Sequence, residues 1–293
     1  MSDPPDSTFF LGIGAEKAGT SWLRRRLMEH PEVWTPPHKE IHYFDQVHLE
    51  GVGTRFRQIK YQALQKRVAA TTWEDLARPG RLFRMRWFAA QGLVCEVDDA
   101  WYRGLFAEAM TRYRVVGEIT PSYAAIGEKG FRHMATLLPD ARIIFLMRHP
   151  VDRLWSAVRY SARRGEGTGV LDSPEAMVRY ASRPTNMAKS EYHVTMAQLA
   201  EVYSPQQVLY AFYEDIFASE EAQLGFLRRV CEFLGVDHDA GAFVDLAEIV
   251  NASPPHHMPA QFGHAMTAKL ASVFDEVERL MGRVPTSWRS SPG

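Results

Sequence analysis

The chain of 293 residues is 46% hydrophobic and 24% charged, the balance of an ordinary globular protein. Its 34 basic and 35 acidic residues leave a formal net charge of −1, which argues against a protein that holds nucleic acid through its phosphates. The two cysteines, Cys95 and Cys231, form neither a disulfide framework nor a CxxC metal motif, though one disulfide is arithmetically possible. No apolar run approaches the ~20 residues a membrane helix needs. The opening Met1-Ser2-Asp3-Pro4-Pro5-Asp6-Ser7 is polar and acidic, unlike a signal peptide. The expectation is a cytoplasmic protein with no membrane partner.

Thr8–Gly14 is short, aromatic and apolar on both faces, so it reads as a buried strand. Thr20–His30 sets Trp22, Leu23 and Leu27 at helical spacing, and Pro31 stops it. From Gln46 to Tyr113 the pattern is less regular. Tyr61–Ala70 and Ala100–Arg112 look helical, Pro79-Gly80 marks a turn, and Trp73, Trp87 and Trp101 fall here. Residues 46–113 are expected to form a helical, aromatic-rich insertion in a single domain spanning 1–293, with Trp73 to Trp101 a candidate wall for a substrate. Further strands are expected at Arg114–Glu118, Arg142–Met147 and Gln207–Phe212. Helices are expected at Lys129–Leu138, from Pro150 to Arg163, and at Glu191–Tyr203, Ser219–Leu234 and Met266–Met281. This alternation predicts an α/β fold with a mainly parallel central sheet flanked by helices.

The loop after the first strand reads Gly14-Ala15-Glu16-Lys17-Ala18-Gly19-Thr20-Ser21. A turn between strand and helix aims backbone N–H groups and the positive end of the helix at one spot, which suits a phosphate. Glycines allow close approach, Thr20 and Ser21 add hydroxyls, and Lys17 adds a mobile charge. The loop nearly matches the phosphate-binding pattern GxxxxGK[ST], but Thr20 stands where that pattern has lysine. An ATP- and magnesium-dependent kinase is thereby the weaker of the two readings, and it stays as the alternative.

Lys17-Ala18-Gly19-Thr20-Ser21-Trp22-Leu23 resembles the 5′-phosphosulfate loop of sulfotransferases that use PAPS (3′-phosphoadenosine 5′-phosphosulfate), spelled Lys-x-Gly-Thr-[Ser/Thr]-x-Leu. The resemblance implies the sulfotransferase fold, which is similar to that of the P-loop kinases. It implies that Lys17, Ala18, Gly19, Thr20 and Ser21 hold the donor, with Trp22 close by and Lys17 charged against the leaving group. Arg148-His149-Pro150, with Arg153 and Ser156, resembles the family's 3′-phosphate motif, in which an arginine and a serine eight residues on share that phosphate. Arginine's planar fork suits such a group.

Lys39-Glu40-Ile41-His42-Tyr43-Phe44-Asp45 is similar to a string found in the carbohydrate branch, which includes the heparan sulfate enzymes, and in bacterial relatives. By that resemblance Glu40 is the general base and His42 its companion, and no metal is required. His38-x-Glu40-x-His42 does not have the HExxH order of a zinc site. Gly117 to Tyr123 resembles a segment bordering the acceptor, but Ile119 replaces the lysine that contacts sulfated glycans in the heparan enzymes. An apolar or neutral acceptor is therefore expected over a polyanion. Tyr213-Glu214-Asp215 matches a later family segment and is read as structural. In the loop Asn251–Pro259, His256 and His257 replace basic residues that close over the donor. The expected activity is transfer of a sulfuryl group from PAPS to a hydroxyl of a small-molecule or glycan acceptor, releasing PAP.

Overall fold

Five strands form the central sheet of the computed structural model: β1 (Thr8–Gly14), β2 (Val33–Trp34), β3 (Val115–Ile119), β4 (Arg142–Met147) and β5 (Val208–Phe212). Their spatial order is β2-β3-β1-β4-β5, and every pairing is parallel. The structure describes residues 7–50, 52–93, 97–165, 169–238, 243, 246 and 256–289. Cys95 lies outside the described residues, and Cys231 is a buried free thiol.

The expected parallel α/β architecture is what the chain adopts. All of β3, and all but the first residue of β1 and β4, are buried, because helices cover both faces. That is why these strands read as unbroken apolar runs. β2 has only two residues and carries no readable period.

The helices differ from expectation at their ends and breaks. The first spans Thr20–Leu27, ending short of His30. The expected Ala100–Arg112 helix is two short ones, Asp99–Gly104 and Ala107–Met110, interrupted after Gly104. The expected Met266–Met281 helix is Ala260–Lys269 followed by Ala271–Met281, with the break at Leu270. Leu270 is fully buried, so tertiary packing overrides a continuous pattern there.

Between β2 and β3 the chain is helical, with long helices at Val52–Ala69 and Arg81–Gly92. The tryptophans there do not form one wall. Trp73 is 87% exposed, whereas Trp87 is buried and packs on Trp34 at 6.2 Å. Trp101 donates its indole N–H to the Ala90 carbonyl at 2.8 Å.

From β1 the chain crosses to β2 and β3 on one side, and after β3 it crosses to β4 and β5 on the other. The carboxyl ends of β1 and β4 therefore flank a topological switch point, where open parallel sheets bind ligands.

Candidate functional site

Both segments expected to bind the donor's anionic groups start at this switch point. The Ala15 N–H donates to the Leu146 carbonyl at 2.6 Å, fastening the glycine loop to β4. Gly19 has φ 86°, and a Cβ on it would lie 2.8 Å from the Phe217 ring, so conformation and space both demand glycine. Lys17 adopts φ 70°, a left-handed conformation uncommon for a residue with a side chain and concentrated at functional loops. Its ammonium lies 4.1 Å from the centre of the Tyr160 ring. Burial pushes its pKa down to about 8; Glu16 opposes this and Arg163, Arg148 and Arg159 reinforce it. Glu16 itself is paired with Lys189 at 2.5 Å.

Arg148 follows β4 and donates from Nη1 to the Lys17 carbonyl at 3.2 Å. Two segments 131 residues apart in sequence are thus in contact. The Arg148 guanidinium also lies 4.6 Å from the centre of the Tyr213 ring. Ser156 is buried on the helix Pro150–Arg164, which begins two residues after Arg148. That helix is anchored by the fully buried Arg153, which donates to Ser190 Oγ at 2.5 Å and the Asn186 carbonyl at 2.6 Å. Glu214 accepts from the His149 N–H at 2.7 Å and from Trp288 Nε1 at 2.9 Å, a bracing role.

The segment Lys39–Tyr43 is pinned by its alternate residues. The Ile41 N–H donates to Thr120 Oγ1 at 3.1 Å, and the Tyr43 N–H donates to the Tyr123 hydroxyl at 2.9 Å. Both hydroxyls in turn donate to the buried Glu118, at 2.6 and 2.8 Å. Burial raises the pKa of Glu118, against the pull of these hydrogen bonds. With Ile41 and Tyr43 held inward, Glu40 and His42 face the other way.

His42, at φ 58°, is bracketed by two carboxylates: Glu40 at 3.2 Å from Nε2 and Asp45 at 2.7 Å from Nδ1. A ring whose two nitrogens both face carboxylates must donate from both, which is the imidazolium form. Burial alone would lower its pKa, but the hydrogen bonds it donates to Asp45 and Glu40 override this and raise it to about 9. Glu40 is pushed upward by burial, yet His42 and Lys39 bring it below its ordinary value, so it is ionised. Phe56 stacks on the His42 ring with centroids 3.7 Å apart.

Lys39 joins the two halves of the site. Its Nζ donates to Thr20 Oγ1 at 3.2 Å and Ser21 Oγ at 3.0 Å, and stands 3.5 Å from Glu40. The glycine loop, Arg148 and the Glu40–His42 pair thus form one cleft lining. Of the loop Asn251–Pro259, residues 251–255 lie outside the described residues, and His256 and His257 are exposed.

A family model described as "Sulfotransferase family" matches residues 10–240. The chain belongs to the sulfotransferase family. It is similar to the crystal structure of a sulfotransferase from Alicyclobacillus acidocaldarius, with 26% identity, a TM-score of 0.65, and coverage of 98% of this chain and 99% of that one. It also shares its fold with the sulfotransferase domain of the Synechococcus PCC 7002 olefin synthase, at 18% identity, a TM-score of 0.52 and 97% coverage of each chain. No curated protein shows a significant match. The P-loop-like sulfotransferase fold explains why the glycine loop nearly, but not fully, matches a kinase loop, and the kinase reading lapses.

Several residues of this sulfotransferase's cleft escape sequence reasoning. Lys39 sits inside the string that points to Glu40, but only folding brings its ammonium to Thr20 and Ser21. Asp45 closes the same string, and its Oδ2, which accepts from His42, also accepts from the Ser122 hydroxyl at 2.5 Å. Phe56 and Lys60 come from a helix with no recognisable motif. Lys60 hydrogen-bonds the Ile41 carbonyl, and burial lowers its pKa to about 8.

Proposed function

We propose that this sulfotransferase moves the sulfuryl group of PAPS onto a hydroxyl of a small-molecule or glycan acceptor, with Glu40 as the general base. The observation that carries the reading is the bracketed imidazolium. His42 has no free nitrogen with which to accept a proton, and the ionised Glu40 beside it does have that capacity.

The loop Lys17–Ser21 holds the 5′-phosphosulfate, with backbone N–H groups and the start of the helix Thr20–Leu27 aimed at its charge. Trp22 packs beneath the loop, 5.1 Å from Phe217. Arg148 and Ser156 take the 3′-phosphate that distinguishes this nucleotide from ATP. The acceptor oxygen attacks sulfur, the bond from sulfur to the departing phosphate oxygen breaks, and Glu40 receives the hydroxyl proton. Lys17 and Lys39 offset the negative charge that grows on the leaving PAP. His42, held by Asp45, keeps Glu40 ionised and oriented.

The test compares the wild-type enzyme and Glu40→Gln with PAPS and a panel of phenols, sugars and alkyl alcohols. The wild type should sulfate at least one class. The variant should bind PAP normally and lose about 10²–10⁴-fold in turnover, the usual contribution of a general base. A fully active variant removes Glu40 from that role.

A further inference from the structure

A cavity of about 530 Å³ lies between the helices Val52–Ala69 and Arg81–Gly92, outside the residues assigned above to donor or base. Lys66, Arg67, Arg81 and Arg84 line it with Met85 and Phe88, and no acidic residue does. None of the four cations forms a close salt bridge among the described residues; Asp75 pairs with Arg78 at 3.4 Å and attracts Arg81 from further off. Arg81 Nε is buried without a hydrogen-bond partner. The Arg67 guanidinium covers the Phe88 ring at 3.8 Å, so one wall is both apolar and positive.

The helix Val52–Ala69 connects this cavity to the base. Phe56, Lys60, Ala63 and Arg67 recur at spacings of four, three and four residues and share one face. At the near end Phe56 stacks on His42 and Lys60 holds the Ile41 carbonyl; at the far end Ala63 and Arg67 line the cavity. At 1.5 Å per residue, Ala63 and Arg67 lie roughly 10–16 Å along the helix from Phe56. Pro37, three residues before Glu40, also lines the cavity, and the His38 ring packs 5.5 Å from Phe88. The positive potential reaches that segment. Burial first, then Arg67, Lys60 and Arg24, push the His38 pKa down to about 4 against the opposing pull of Glu40.

We propose that this cavity is an acceptor subsite for an amphipathic molecule with a single anionic head group whose hydroxyl is presented to Glu40. The inference rests on the assignment of Glu40 as base. The cavity volume suits a small organic body, and a lining with four cations and no carboxylate favours an anion on the ligand.

The complex of the full chain with PAP is titrated by calorimetry with ω-hydroxydodecanoate, ω-hydroxydodecyl phosphate and the methyl ester of the former. At least one anionic probe should bind 10-fold or more tightly than the ester, and the two anions separate carboxylate from phosphate preference. The double variant Arg67→Gln/Arg84→Gln should erase that preference while PAP affinity stays the same. Should the double variant unfold, the exposed Arg84→Glu alone should reduce the preference at least 3-fold. Equal binding of ester and anions, no binding of any probe, or a preference that survives the folded variant overturns the subsite. The readout involves no transfer, so an inactive enzyme or an active Glu40→Gln variant would count against the proposed chemistry and leave this result readable.

Discussion

Asp45→Asn is the most revealing perturbation of the site, because it removes one charge and leaves the shape. Asp45 is 1% exposed and accepts from His42 Nδ1 at 2.7 Å. Of the groups that raise the His42 pKa, it stands first. The rise from 6.5 to about 9 is worth about 3 kcal/mol of preference for the imidazolium, net of the opposing burial. With asparagine in place, Glu40 alone must support the charge against burial, and His42 should titrate at or below its ordinary value. The assay is an NMR titration of the ring proton, assigned with a His42→Gln control, together with a pH–rate profile at saturating PAPS. In the wild type the alkaline loss of turnover should track His42 near pH 9, and in Asp45→Asn it should move below pH 7.

Stability gives the same perturbation a second reading. A histidine whose folded-state pKa lies above its unfolded value adds stability that is complete below about 6.5 and lost as pH rises through about 9. Asp45→Asn should therefore cost up to about 3 kcal/mol at pH 6 and much less of this contribution at pH 9.5. A His42 that titrates at the same pH in both proteins would refute the bracketed-imidazolium account.

Two further outcomes are expected. Lys17, lowered to about 8, should be pushed upward by a bound anion. PAP binding at pH 8 should then take up a fraction of a proton, seen by calorimetry in buffers of differing ionisation enthalpy and absent in Lys17→Met. Zero uptake in the wild type contradicts the placement of the anion beside Lys17. Gly19→Ala forces a Cβ to 2.8 Å from Phe217 at φ 86°, and should destabilise by about 1–3 kcal/mol and weaken PAP binding. Unchanged thermal unfolding would show that the loop relaxes freely.

The parts of this molecule legible in the sequence are those whose cause is local. β1 and β4 are apolar on both faces because helices cover the sheet, so a short unbroken run suffices to identify them. The glycine loop is legible because Gly19 needs a left-handed conformation that few other residues adopt. The helix breaks at Gly104 and Leu270 are not readable, since packing against distant elements decides them. The same limit applies to the cleft. The Glu40 string is recognisable, but nothing local reveals that Lys39 reaches Thr20 and Ser21, or that Ser122 orients Asp45 from 77 residues away. The differing placement of the tryptophans between Trp73 and Trp101 has a related cause. Composition marks aromatic content, while burial of Trp87 and exposure of Trp73 depend on which helix face meets Trp34.

The proposed function requires a cleft that reads both ends of a 3′-phosphorylated nucleotide. Calorimetry with PAP, AMP and ATP on the wild type and on Arg148→Gln/Ser156→Ala tests this most directly. PAP should bind at least 100-fold more tightly than AMP or ATP, and the variant should lose most of that margin. Equal affinities for PAP and AMP in the wild type would contradict it.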